Sequence, residues 1–302
     1  MPADTQVEIQ GKRLKLSNLD KVFYPKTGFT KGQVIDYYTR VSNALLPHLE
    51  KRPLTLKRYP NGVDEKFFYE KRCPTHRPEW VATAPVESDR HGGPIDYCVC
   101  NDLPTLVWVA NMASIELHPS LSHAPKVEQP TTLAFDLDPG PPAAILECAQ
   151  VGLWVRDVLE NLGLQSFPKT SGSKGLQVYV PLNTAVTYKD TKGFSHALAR
   201  LLEKQHPKEV VSVMTKELRK GKVFIDWSQN DEHKTTVSVY SLRARDEPTA
   251  STPVRWEELD AALKAKDAAA LRFEAPEVVK RVEADGDLFA AVHKVTQELP
   301  TL

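Results

Sequence analysis

The stretch Thr131-Thr132-Leu133-Ala134-Phe135-Asp136-Leu137-Asp138-Pro139-Gly140-Pro141-Pro142 decides how this chain is read. Residues 131 to 137 form a short β-prone run leading into Asp138. Pro139-Gly140-Pro141-Pro142 then forces a sharp turn, and prolines there suit the start of a helix. Two carboxylates two residues apart on a strand project from the same face. Held side by side, like charges repel and raise a pKa unless a cation sits between them. Mg²⁺ or Mn²⁺, hard cations that want oxygen ligands, fit that gap. In nucleotidyl transfer, two such ions would activate the attacking hydroxyl and neutralise the departing pyrophosphate. Read alone, the pair fits equally well as two surface aspartates at a strand end.

Working outward, residues 143 to 162 carry a helical pattern closed by Gly163. Leu176, Val178 and Val180 alternate with Gln177, Tyr179 and Pro181, as in a strand with two different faces. Asp190 is placed to cap a helix carrying Phe194, Leu198, Leu201 and Leu202. Lys222 to Trp227 and Thr236 to Tyr240 read as further strands, and the acidic, Ala-rich tail from Trp256 as mostly helical. Upstream, Thr30 and Gln33 fit a capping box. Val34, Tyr38, Val41 and Leu45 then follow helical spacing up to Pro47. Residues 51 to 72 are basic and aromatic, with a turn at Pro60-Asn61-Gly62. Residues 104 to 118 are mainly apolar and end in Ile115-Glu116-Leu117-His118-Pro119. Strands interleaved with helices indicate an α/β or α+β domain.

The 302 residues suffice for one large domain or two modest ones, and 41% hydrophobic with 26% charged is ordinary for a globular enzyme. No apolar run has the length of a membrane span and no secretory signal opens the chain, so a cytoplasmic protein without a membrane partner is expected. Net charge is zero, which argues against a uniformly basic coat. The distribution is segregated, however: residues 11–60 hold eleven Lys and Arg against three Asp and Glu, and residues 257–302 hold six against ten. A basic face attracts phosphate polymers, although a solvated surface segregates charge in the same way. Cys73, Cys98, Cys100 and Cys148 include no C-x-x-C pair, and reduced thiols are expected. Cys73-x-x-His76 has zinc-like spacing but no second pair at a helpful distance.

Other residues could carry chemistry. Asp226, set between apolar residues in Val223-Phe224-Ile225-Asp226-Trp227, is either an arginine's structural partner or a third metal ligand. Thr170-Ser171-Gly172-Ser173-Lys174-Gly175 joins two glycines to hydroxyls and a lysine before a strand. It suits a triphosphate cradle or a polar hairpin turn, and it lacks the Walker pattern. His118 could be a core histidine or a functional one, and Arg243 a structural ion-pair partner or a phosphate clamp. Phe67 and Phe68 cannot both enter one core from an extended chain, so either one is available to stack on a base or two cores share the pair. Lys21 and Lys31 lie in the basic stretch, Lys31 in the first turn of the Thr30 helix, where phosphate is favoured but solvated lysines are common.

Five motifs occur in order: His118-Pro119, Asp136-Leu137-Asp138, Ser171-Gly172-Ser173-Lys174-Gly175, Asp226-Trp227, and Tyr240-Ser241-Leu242-Arg243-Ala244-Arg245. Together they resemble the polymerase domain of bacterial ligase D, of the archaeo-eukaryotic primase superfamily, which serves non-homologous end joining. The likeness runs from about Leu16 to about Leu259. It implies an α/β (α+β) primase-polymerase fold with an RRM-like catalytic sheet flanked by helices, a single catalytic domain over residues 1–302. Residues 1–15 would be an N-terminal arm, 16–259 the family-like core and 260–302 an acidic helical tail. It implies that Asp136, Asp138 and Asp226 bind two Mn²⁺ or Mg²⁺ ions. His118, Ser171, Lys174, Arg243 and Lys57 would contact the incoming nucleotide. Lys21 and Lys31 would grip a DNA 5′-phosphate, and Phe67 and Phe68 would stack near the templating base. The implied reaction is template-directed addition of NTPs or dNTPs, with ribonucleotide preference, to 3′-hydroxyls at gaps or break ends. Implied partners are gapped or 5′-phosphorylated DNA, Ku and a DNA ligase, and the implied location is the nucleoid. Gln177 departs from the family's usual histidine, Ser120 from its usual aromatic, and Ser238-Val239 from its usual Ala-Pro. No ligase or nuclease module follows within the 302 residues, which suggests a stand-alone polymerase or an excised domain. A primase that starts chains unprimed and a catalytically silent end-binding module are the rival readings.

Overall fold

The computed structural model describes residues 4–88 and 92–300. In chain order the elements are β1 (Thr5–Ile9), β2 (Lys12–Leu16), β3 (Val22–Tyr24), β4 (Phe29–Thr30), α1 (Lys31–Arg40), α2 (Ser42–Leu49), β5 (Leu54–Arg58), β6 (Phe68–Glu70), β7 (Thr83–Val86), β8 (Ile95–Cys98), α3 (Leu103–Asn111), β9 (Ser114–Pro119), β10 (Thr132–Pro139), α4 (Ile145–Asn161), β11 (Phe167–Thr170), β12 (Leu176–Pro181), α5 (Tyr188–Gln205), β13 (Val210–Val211), β14 (Val223–Asp226), α6 (Trp256–Ala265), α7 (Ala275–Asp285) and α8 (Ala291–Lys294). They form two compact units. One takes Met1–Pro125, Thr235–Ala250 and Glu274–Asp287; the other takes Lys126–Lys234, Ser251–Phe273 and Leu288–Leu302.

The second unit is built on a five-stranded sheet in the order β11-β12-β10-β14-β13. Period-two alternation sorts its side chains. Leu133, Phe135 and Leu137 of β10, Leu176, Val178 and Val180 of β12, and Val223 and Ile225 of β14 share one face. They bury against Cys148, Val151, Val155 and Leu159 of α4 and Phe194, Leu198 and Leu202 of α5. Burying one such Leu or Val contributes roughly 1.5–3 kcal/mol, so the register that puts these residues inward also fixes Asp136 and Asp138 on the opposite face. Asn230 extends β10's pairing past the end of β14: its side chain accepts from Ala134 N–H (2.9 Å) and donates to Ala134 C=O (2.8 Å). α5 is capped by Thr187 and not by Asp190. The two form a reciprocal capping box, Asp190 accepting from Thr187 N–H and Thr187 Oγ1 accepting from Asp190 N–H.

Two glycines hold the rim of β10. A Cβ on Gly175 would lie 2.1 Å from Leu137 O, and one on Gly140 1.9 Å from Arg219 O. Backbone cannot yield as a side-chain end can, so Gly175→Ala should destabilise by about 1–3 kcal/mol or more. Urea unfolding would register this as a lower midpoint with unchanged slope.

The first unit pairs β6-β5-β8-β7, with β9 added on β5. The capping box at Thr30 is present, but the helix breaks at Val41 and resumes as α2, which runs through Pro47 to Leu49. Pro47 gives up its own N–H bond and its ring crowds the carbonyl four residues back, and the helix ends two residues beyond it. Thr236 to Tyr240 is not a strand. Thr236 and Ser238 donate N–H bonds to Pro119 O and Leu117 O (3.2 and 2.9 Å), alternate bonds along β9 without a full ladder, and Tyr240 turns out at φ 62°. Cys73 and Cys98 are joined as a disulfide rather than held as free thiols; Cys100 and Cys148 are free and buried. The bond from Cys73 N–H to Asp96 O (2.7 Å) brings residue 73 beside β8, a proximity that local spacing does not encode. Among the described residues no helix is long and apolar enough to cross a membrane.

Candidate active site

Register places four polar side chains in one row across the second unit's sheet. Lys169 of β11 opposes Gln177 of β12, Gln177 opposes Asp136 of β10, and Asp136 opposes Asp226 of β14. Directly opposed residues share a face with Cβ atoms about 4.5–5.5 Å apart. Asp138, two residues beyond Asp136, joins them on that face. Gln177 Nε2 donates to Asp136 Oδ1 at 3.1 Å. Asp226 Oδ1 accepts from Ser228 N–H (3.0 Å) and Oγ (2.5 Å), and its Oδ2 accepts from Gln229 Nε2 (3.0 Å). Asp138, exposed, lies 3.5 Å from Arg219 Nη1, whose guanidinium stacks 3.7 Å from the Phe224 ring centroid. Burial pushes the Asp136 carboxyl up to about 6, with the charges of Asp226 and Asp138 adding to the rise and Gln177 opposing it. Carboxylates crowded so that ionisation is penalised are what a divalent cation relieves, and an all-oxygen donor set suits Mg²⁺ or Mn²⁺. In donor chemistry, Asp136, Asp138 and Asp226 suit such an ion.

One measurement follows from the raised Asp136 pKa. Metal and proton compete for the same carboxylate, which binds metal only when ionised. Mn²⁺ should raise the melting midpoint at pH 7.5 and do so much less at pH 5, below the Asp136 value of about 6. An equal shift at both pH values in differential scanning calorimetry would remove Asp136 from the metal site.

Beside β10, the 171–175 loop closes on itself. Ser171 N–H donates to Gly175 O (2.9 Å), and Ser171 Oγ accepts from the N–H groups of Ser173 (3.2 Å) and Gly175 (3.1 Å). Ser171 is buried, Ser173 and Lys174 are exposed, and Gly172 takes φ 66°. The turn fixes the backbone and leaves the Lys174 ammonium exposed to solvent.

In the first unit a carboxylate gathers the remaining basic residues. Glu116, 2% exposed, lies 3.0 Å from His118 Nε2, 3.3 Å from Lys57 Nζ and 3.3 Å from Arg243 Nε. It also accepts from Tyr59 Oη and Ala244 N–H, each at 3.2 Å. A carboxylate only accepts, so His118 donates through Nε2–H. Burial pulls the His118 pKa down, with Glu116 opposing the fall. Lys57 Nζ sits 4.4 Å from the Phe67 ring centroid. Phe67 and Phe68 are both about half exposed (49% and 44%); Arg58 lies 5.1 Å over Phe68. Lys21 bonds Asn61 Oδ1 (2.8 Å). Lys31 is buried and donates to Ser17 O (2.7 Å); burial, with Lys21 and Arg58 nearby, lowers its pKa to about 8.

The family model described as "LigD, primase-polymerase domain" matches residues 30–289. The multifunctional non-homologous end joining DNA repair protein LigD of Mycobacterium tuberculosis is 41% identical over 287 residues, spanning 92% of this chain and 36% of the relative. The bifunctional non-homologous end joining protein LigD of Bacillus subtilis is 30% identical over 289 residues, spanning 95% of this chain and 45% of the relative. The solved polymerase domain of Mycobacterium tuberculosis ligase D in complex with DNA superposes with a TM-score of 0.87 at 40% identity, covering 94% of this chain and 99% of that one. The chain belongs to the LigD primase-polymerase family. It thereby belongs to a DNA-directed nucleotidyltransferase family, with the mixed α/β fold the sequence implied. It spans less than half the length of these two curated relatives.

With the LigD primase-polymerase family in view, the structure brings Asp136, Asp138 and Asp226 to one sheet face. It brings His118, Arg243 and Lys57 to one carboxylate. Sequence reading missed three residues. Glu116 carries the same two-residue signature with His118 that Asp136 has with Asp138, a signal that was available. Lys169 and Arg219 had no local signal, since strand register brings the one to Gln177 and the loop before β14 brings the other to Asp138.

Proposed function

We propose that this chain catalyses template-directed nucleotidyl transfer to a DNA 3′-hydroxyl, filling gaps or bridging broken ends in non-homologous end joining. The observation that carries this is the meeting of Asp136, Asp138 and Asp226 on one face of a sheet in a chain of this family. These three would hold two Mn²⁺ or Mg²⁺ ions, which when bound supply activation of the 3′-hydroxyl and neutralisation of the pyrophosphate. Ser171 and Lys174 would hold triphosphate oxygens through the loop's amides, hydroxyl and ammonium. His118, Arg243 and Lys57 would contact nucleotide phosphate. With its Nε2–H committed to Glu116, His118 offers phosphate a donor only through a protonated Nδ1, a state that phosphate charge favours. Phe67 and Phe68 would stack near the templating base, and Lys21 and Lys31 would grip a 5′-phosphate. We further propose that residues 1–302 work as one catalytic domain, that ribonucleotides are preferred, and that the chain acts in the cytoplasm at the nucleoid with Ku and a DNA ligase.

The test is extension of a gapped, 5′-phosphorylated duplex with Mn²⁺, comparing rNTPs with dNTPs and including a primer-free template. Extension of the primer, faster with rNTPs, is expected. Products from the primer-free template would place the chain among primases, and no extension by the wild-type chain would leave an end-binding module.

A further inference from the structure

We propose that Lys169 is a positioning residue that fixes what Gln177 presents to Asp136, so that a buried ammonium two strands away orders the metal-binding carboxylates; this rests on the metal-site reading above. Lys169 is fully buried at 0% exposure, and its Nζ donates to Gln177 Oε1 at 2.5 Å and Ser251 Oγ at 2.7 Å. Ser251 Oγ in turn donates to Thr170 O at 2.8 Å, which ties the hydroxyl to β11. A lysine is almost never buried so completely without partners, and an ammonium offers only donors. The glutamine amide is otherwise ambiguous: a half-turn exchanges its oxygen and nitrogen. Lys169 resolves the choice by claiming Oε1, which leaves Nε2 to donate to Asp136 Oδ1 at 3.1 Å. The reverse orientation would set a carbonyl against a carboxylate. Lys169 thus acts through Gln177, and the cross-strand order Lys169–Gln177–Asp136–Asp226 is the path. A glutamine at position 177 needs an outside partner to choose its orientation.

The test uses the full chain as Lys169→Met, Gln177→Leu and the double variant. Mn²⁺ affinity is read from the free-ion electron paramagnetic resonance signal without DNA or nucleotide. kcat and KM are read on the gapped duplex, and folding by thermal melting. Each single substitution should raise the Mn²⁺ Kd about tenfold and lower kcat about tenfold, with KM for DNA unchanged. The double variant should be no worse than either single, because both cut one path. Lys169→Met deletes a positive charge near the cation site, and charge alone would tighten Mn²⁺ binding. Weaker binding is therefore the mark of positioning. Tighter or unchanged Mn²⁺ binding by Lys169→Met overturns the proposal, as does a roughly hundredfold loss in the double variant. If Lys169→Met does not fold, Gln177→Leu, which changes no charge, decides by the same Kd shift. A wild-type chain that binds Mn²⁺ yet never extends the duplex sinks the polymerase reading alone and leaves the binding comparison standing.

Discussion

With Mn²⁺ at pH 7.5, Asp136→Ala should extend a primer at least about a thousandfold more slowly than the parent chain, a loss on the order of 4 kcal/mol of transition-state stabilisation. Asp136 is the middle of the carboxylate set: it faces Asp226 across β14 and shares its strand face with Asp138. Either neighbour alone offers a cation half a cradle. The same substitution should not weaken the metal-free fold. The Asp136 pKa is raised to about 6, above its unfolded value of about 3.9, so the folded state binds a proton more tightly than the unfolded one. The ionised side chain therefore opposes folding above pH 6, and that penalty fades as pH falls through 6 toward 4. Metal-free Asp136→Ala should melt at or above wild type at pH 7.5, with the gap closing by pH 4. Asp226→Ala should behave differently, because its oxygens satisfy Ser228 and Gln229 and cap the turn at residues 227–229. It should lose extension and stability together. Primer-extension gels and calorimetry on the two variants check both statements. A metal-free Asp136→Ala chain that melts well below wild type at pH 7.5 would mean that this carboxylate is structural.

The parts of this site legible in the sequence were those encoded locally. Asp136 and Asp138 are two apart on a strand, Thr30 and Gln33 are three apart at a helix start, and the order of five motifs is linear information. What stayed hidden depends on which strand lies beside which. Nothing near residue 169 says that β11 pairs with β12, and so nothing announces that Lys169 would meet Gln177. The Cys73–Cys98 disulfide was invisible for the same reason. Asp190 was misplaced by three residues because an aspartate serves as N-cap or as the third residue of a box, and only Thr187 at the other end decides between them. Thr236 to Tyr240 has strand composition, but it bonds one neighbour at alternate residues, so propensity was met without a ladder. Glu116 is a different case. Its two-residue spacing from His118 is present in the sequence, and the cost of burying an acid unpaired in an apolar run demands partners.

Those partners make Glu116→Ala the substitution with the largest expected effect on folding. Lys57, His118 and Arg243 converge on Glu116 with side chains only 14%, 13% and 16% exposed. Removing one member of a buried ionic group leaves the others without compensation, at a cost of about 3–5 kcal/mol. That is a large fraction of the roughly 5–15 kcal/mol that holds a domain together. Urea unfolding at pH 7 should show it as a lower midpoint. Glu116→Gln, which retains an acceptor for Tyr59 and Ala244 but no charge, should fall between the two. The pH dependence supplies the signature. Burial pushes the Glu116 carboxyl up, but the bond from His118 and the charges of Arg243, His118 and Lys57 outweigh it and hold the pKa well below the usual carboxylate range. A depressed pKa means that the folded state prefers the ionised form. Its contribution is complete above the unfolded value of about 4.3 and is lost as pH falls below that toward the folded value. Glu116 also holds the His118 pKa up against burial, so the stability difference between wild type and Glu116→Ala should widen modestly from pH 7 to pH 5 and shrink below about pH 4. A difference that stayed constant down to pH 3 would show that the lost energy was packing around residue 116 rather than its charge. The three basic side chains would then owe their placement to β5, β9 and the segment that carries Arg243, and not to the carboxylate among them.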